Sequence, residues 1–92
     1  MNYCVNYSDE ANMDIADLKK SDVQAYNKLV KLIKELHEHP RYGIGKPKIM
    51  KHGKFKGFWS RRVTDKHRLV YSINDEEITV WVLTAKGHYD DK

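Results

Sequence analysis

Apolar residues recur along this chain with two periods, and the change from one to the other divides it near Pro40. Before the proline the spacing is helical. Ala11, Ile15 and Leu18 fall on one stripe, and Val23, Tyr26, Leu29, Val30, Ile33 and Leu36 fall on a second. Residues 3–7, YCVNY, predict a short strand ahead of them, after which Ser8, Asp9 and Glu10 supply an N-cap and an acidic first turn for a helix over 9–19. Ser21, with Gln24 three places on, has capping-box spacing and predicts a second helix that stops before Pro40. The break between them is short, which predicts a helical hairpin laying an apolar stripe on a sheet.

After the proline the pattern is strand and turn. Residues 41–47, RYGIGKP, read as a loop from their two glycines and proline, and residues 48–51 as a weak strand. Stronger strands are predicted over 57–63, 67–74 and 77–84, with Asn74, Asp75 and Glu76 turning the chain between the last two. The order predicts an α+β fold in which two N-terminal helices pack on a twisted, mainly antiparallel sheet. At 92 residues the chain is read as one domain, with 90–92 as a short tail.

Composition adds limits. No apolar run approaches the ~18 residues of a membrane helix, and the start MNYCVNYSDE has neither the basic nor the apolar region of a signal peptide. A soluble, cytoplasmic protein with no membrane partner is expected. Cys4, the single cysteine, cannot form an internal disulfide and is read as a small core residue.

Charge changes the picture more. The net value of +4 hides its distribution: residues 1–40 carry 5 Lys/Arg against 7 Asp/Glu, residues 41–71 carry 10 against 1, and residues 72–92 carry 2 against 5. A basic block between mildly acidic ends is the footprint of a polyanion-binding surface, although a lysine-decorated sheet edge would look the same.

The stretch GFWSRRVTDKHRLVY sharpens this reading. With a hairpin loop of Thr64, Asp65 and Lys66, and Val63 opposite His67, Arg62 falls across from Arg68. Directly opposed side chains have Cβ atoms about 4.5–5.5 Å apart, so two guanidinium groups there repel unless an anion joins them. The same alternation puts Ser60 and Val70 on the arginine face, and turns Trp59, Arg61, Leu69 and Tyr71 the other way. Arg61 is thereby left on the other face with a different task. A slip of one residue would separate the pair. Lys46, Lys48 and Lys51 add to the charge if the weak strand lies beside this hairpin. At the chain end, His88 can move protons near neutral pH and Tyr89 offers a face for base stacking.

The run GIGKPKIMKHGKFKGFWSRRVTDKHRLVY, followed at the end by GHY, resembles the YoeB/Txe group of the RelE superfamily, bacterial toxins that cut messenger RNA on the ribosome. The resemblance covers residues 43–89. It implies a RelE-like, microbial RNase-like fold and an endoribonuclease (mRNA interferase) that acts in the decoding site without metal or cofactor. It also implies a YefM-like antitoxin that wraps the toxin, with operator DNA reached only through that antitoxin, and it leaves homodimerisation open. By motif match, Arg62 and Arg68 would hold the scissile phosphate, and His88 would protonate the leaving oxygen. Tyr89 would position the nucleotide, and Lys51, with Lys46 near it, would contact RNA.

One position departs from the pattern. Where the group carries a glutamate general base after G-x-G-K-P, this chain has Lys48, which would act as a base of lowered pKa or as an electrostatic stabiliser. Lys48 also favours an alternative, a weak or inactive toxin homologue serving as an antitoxin-binding module and co-repressor. Kinship with gyrase-poisoning toxins is disfavoured by the paired arginines and the His-Tyr end.

Other residues take plainer readings. His37 and His39 lack partners for a metal site, Trp59 and Trp81 read as core or sheet-face residues, and His52 and His67 as loop and strand residues. The lysines of GKFKG read as a solvated, RNA-facing loop, and Asp90 and Asp91 as an inert tail.

Overall fold

The structure, a computed structural model, describes residues 2–87. The chain runs β1 (Cys4–Tyr7), α1 (Asp9–Ser21), α2 (Val23–Glu38), β2 (Lys48–Ile49), β3 (Trp59–Arg62), β4 (Arg68–Asn74) and β5 (Thr79–Thr84). The five strands form one sheet in the order β1-β5-β4-β3-β2, in which β1 runs parallel to β5 and the other pairs are antiparallel. This is the expected α+β architecture. No described helix is long and apolar enough to cross a membrane.

The helices start where short polar side chains can accept backbone N–H groups. Ser8 Oγ accepts the Ala11 N–H at 3.0 Å and donates to the Leu83 carbonyl at 2.7 Å, so the cap of α1 also ties the helix to β5. The second cap is Asp22, not Ser21. Asp22 Oδ1 accepts the Ala25 N–H at 3.1 Å, whereas Ser21 ends α1 with its hydroxyl donating to the Asp17 carbonyl at 2.8 Å. Asp22 leaves helical geometry at φ −150° and its own N–H closes α1 on the Leu18 carbonyl at 2.8 Å, so one residue stops one helix and starts the next.

The core lies between the helices and one face of the sheet. Leu18 of α1 and Ala25, Leu29, Leu32 and Leu36 of α2 pack with Leu69, Tyr71, Val80 and Val82. The stripe of α2 is rotated from the expected one: Ala25 and Leu32 join it, while Val23 and Val30 stand 59% and 47% exposed. At about 100° per residue, 25, 29, 32 and 36 hold one line and positions 23 and 30 fall together on another.

Strand alternation corrects one further expectation, for Cys4, and bears out another, for the two tryptophans. Val5 and Tyr7 turn into the core, so Cys4 points to the opposite face and is exposed rather than buried. Trp59 packs against the core, and Trp81 lies 44% exposed on the outer side of β5. Between Val70 and Tyr71 the β4–β5 register shifts, with Val70 opposite Thr84 and Tyr71 opposite Val82. Leu83 is the extra residue of this bulge, which nothing in the sequence pattern announces.

Candidate functional site

The β3–β4 hairpin has the register expected of it. Arg61 pairs with Leu69 and Arg62 with Arg68, while Val63 N–H donates to the His67 carbonyl at 3.0 Å. Thr64 holds the turn, its Oγ1 accepting the N–H groups of Lys66 and His67 at 3.1 and 3.2 Å. The two arginines therefore face the same side of the sheet, away from the helices. Arg62 is half exposed and 4.0 Å from the fully solvated Asp65, a surface contact worth little.

Farther along that face lie Lys48, Ser60, Val70 and Thr84, each paired with the next across β2, β3, β4 and β5. Ser60 and Thr84 are buried, and neither hydroxyl has a hydrogen-bond partner among the described residues. Two orphan hydroxyls beside a cluster of cations are unusual, because a buried O–H without a partner costs about 1–3 kcal/mol. The β2 edge does lie beside the hairpin and brings Lys48 to this face. Lys46 and Lys51 flank it in sequence, both exposed. His88 and Tyr89 lie outside the described residues.

Arg61 takes the structural task. Its side chain is fully buried, a position in an apolar strand face that demands an anion and several acceptors. Nε donates to Tyr71 Oη at 3.1 Å, Nη1 to Glu35 Oε1 at 2.7 Å and to the Ile44 carbonyl at 3.2 Å, and Nη2 to the carbonyls of His39 and Tyr42 at 2.7 and 2.9 Å. All five N–H groups are satisfied. Tyr71 in turn donates to the Pro40 carbonyl at 2.7 Å, and Glu35 also accepts the Ile44 N–H at 2.9 Å.

The loop after α2 is thus wrapped round one guanidinium. Its far end is fixed as well, since the Arg62 N–H donates to the Gly45 carbonyl at 2.7 Å. Gly45 has φ +82°, and a Cβ there would come within 2.8 Å of Leu32 and 3.1 Å of Arg61, so glycine is required. The G-x-G-K segment is moulded on Arg61 and delivers Lys46 and Lys48 to the edge of the arginine face.

Electrostatics follow from this packing. Burial raises the proton affinity of Glu35, but the hydrogen bonds from Arg61 and the Ile44 N–H, with the charges of Arg61 and His39, outweigh it and leave the carboxyl below its ordinary pKa. Burial pushes the Tyr71 hydroxyl up, partly offset by Arg61. Sequence reading missed Glu35. The available signal was Arg61 itself, a cation at a core-facing position that needs an acid from the neighbouring helix.

His37, His39 and Asp75 have local partners. His37 Nδ1 donates to the Tyr3 carbonyl at 3.0 Å, and His39 Nδ1 donates to the Tyr42 carbonyl at 2.9 Å while its ring stacks on that of Tyr42. Asp75 is gripped by Arg41 at 2.6 and 3.2 Å and by Tyr3 Oη at 2.8 Å, which holds its carboxyl below the usual range. Seven strand steps separate it from Arg68, a distance on the order of 20 Å, so Asp75 cannot stand in for a base beside the arginines.

Three comparisons bear on this arrangement. A family profile described as "YoeB-like toxin of bacterial type II toxin-antitoxin system" matches residues 7–89. The chain is 39% identical over 85 residues to "Toxin YoeB" of Mycobacterium bovis, covering 92% of this chain and 96% of that one. Its fold is similar to that of the "YoeB/ParE toxin from Agrobacterium tumefaciens", with a TM-score of 0.83 at 28% identity over 94% of this chain and 99% of the other. Two Staphylococcus aureus structures, a YoeB dimer and a YoeB-YefM complex, superpose with TM-scores of 0.80 and 0.77 at 29% and 27% identity, each over 97% of this chain and 100% of the other.

Proposed function

Because the chain belongs to the YoeB-like toxins of bacterial type II toxin–antitoxin systems, we propose that it is a ribosome-dependent endoribonuclease that cuts messenger RNA in the decoding site. The observation that carries this reading is the opposed pair Arg62 and Arg68 on a sheet face that also carries Lys48. Two guanidinium forks on one face can both donate to a phosphodiester placed between them. The attraction grows as the phosphorane gathers negative charge, so the pair favours the transition state over the ground state.

In the reaction the ribose 2′-OH loses its proton and its oxygen bonds to the adjacent phosphorus. The bond from phosphorus to O5′ breaks, and His88 gives O5′ a proton. The products are a 2′,3′-cyclic phosphate and a 5′-OH. Lys48, on the strand edge beside Ser60, acts as an electrostatic partner to the phosphate or accepts the 2′ proton. Tyr89 stacks on the nucleotide, and Lys46 and Lys51 contact flanking RNA. The cytoplasm is where such a protein meets ribosomes and a YefM-like antitoxin, the partner suggested by the S. aureus complex. Homodimerisation, as the S. aureus dimer suggests, belongs to the same reading.

Lys48 is also the observation that favours a second reading, an inactive homologue that binds antitoxin and contributes to repression. Expression in a bacterial host, with messenger RNA 5′ ends mapped afterwards, separates the two. Codon-phased cuts on translated messages are expected; absence of toxicity and of cuts would support the binding module.

A further inference from the structure

We propose that His67 is a positioning residue that anchors the peptide from which His88 and Tyr89 extend; its catalytic consequence rests on the nuclease reading above. Beyond the end of β5, the next three residues each have a partner from another element. The Ala85 N–H donates to Asp14 Oδ2 of α1 at 3.0 Å, Lys86 Nζ reaches Asp17 at 3.1 Å, and the Gly87 N–H donates to His67 Nδ1 at 2.9 Å. The Gly87 carbonyl accepts the Arg68 N–H at 3.1 Å. One residue, Gly87, is thus gripped through both its N–H and its carbonyl by two consecutive residues, Arg68 of β4 and His67 of the turn before it.

The ring does what a main-chain carbonyl would do in an ordinary ladder. The His67 carbonyl is committed to the turn, where it accepts from Val63 at 3.0 Å and Thr64 at 3.2 Å. Its N–H is committed to Thr64 Oγ1. Only the side chain remains to meet Gly87, and because Nδ1 accepts, the ring hydrogen sits on Nε2. Gly87 has φ +73°, a left-handed conformation that suits glycine.

The consequence is geometric. His88 follows in sequence directly on Gly87, whose carbonyl accepts from the backbone N–H of Arg68. A proton donor and a phosphate grip joined through Gly87 are held in register by His67, and a displacement of about 1 Å in such a pair can cost on the order of 100-fold in rate.

Two variants in the full chain test this. His67→Ala removes the acceptor, whereas His67→Asn replaces Nδ1 with an amide oxygen at nearly the same place. Expected for His67→Ala is a loss in single-turnover cleavage of ribosome-bound messenger RNA of about 10- to 100-fold, with half-saturation changed less than about threefold. His67→Asn should recover most of the rate. Amide exchange gives a readout independent of cleavage: the Gly87 N–H should exchange faster in His67→Ala and at the wild-type rate in His67→Asn, with core amides such as those of Leu69 and Val80 verifying the fold. An unchanged rate in His67→Ala, a Gly87 amide equally protected in it, or an asparagine variant as damaged as the alanine would each overturn the proposal. If the wild-type protein itself cuts no message, the nuclease reading fails, and the exchange comparison still decides the anchoring.

Discussion

Arg61 and Arg62 are adjacent in sequence and have opposite tasks, because a strand sends neighbours to opposite faces. Sequence alternation made that division legible, and it placed Arg62 against Arg68 in the register observed. It could not say what Arg61 meets, since its acceptors come from residues 35–44 and from Tyr71. His67 was likewise invisible as an anchor, because its partner is a backbone N–H and leaves no mark in sequence. The Arg61–Glu35 pair makes a prediction about pH. Glu35 has a lowered pKa in the folded protein, so its contribution is fully present above the ordinary glutamate pKa of about 4.3 and is lost as pH falls through the folded value. Glu35→Gln should destabilise the protein at neutral pH, and its deficit relative to wild type should narrow on acidification. Urea unfolding between pH 6 and pH 3 checks this, and a deficit independent of pH would count against the charge pairing.

At the scale of elements, every predicted strand and helix exists, the strands trimmed by a few residues and α1 running on to Ser21 rather than stopping at 19. Strand 57–63 shrinks to Trp59–Arg62, and 77–84 to Thr79–Thr84. The capping error at Ser21 arose because two adjacent residues can both cap, and local spacing cannot rank a hydroxyl against a carboxylate. The α2 stripe was misjudged for a related reason: its eight apolar positions cover more than one face, and only the sheet decides which is buried. Leu32 is fully buried and Val30 is 47% exposed, which separates the two in an experiment. Leu32→Ala should cost about 2–5 kcal/mol from lost transfer energy and the cavity left behind. Val30→Ala should stay within about 0.5 kcal/mol, as surface changes do. Similar losses at both sites in chemical denaturation would contradict the observed packing.

Across the whole molecule, charge and layers coincide. The acidic helix α1 packs on the core side of the sheet, while Lys48, Arg62 and Arg68 occupy the other side. The molecule is therefore polarised, with one face suited to a polyanion and the other turned away from it. Segment charge made this legible before the fold was known, but the layer arrangement that separates the faces required the sheet order. Buried Ser60 and Thr84 hydroxyls, without partners among the described residues, lie on the basic side. The most direct test is single-turnover incubation of the purified protein with ribosomes carrying a defined message, followed by analysis of the product ends. The account predicts cleavage to a 2′,3′-cyclic phosphate and a 5′-OH, dependent on the ribosome and lowered about 100-fold or more in Arg68→Ala. Intact message, or cleavage that Arg68→Ala leaves unchanged, would contradict it.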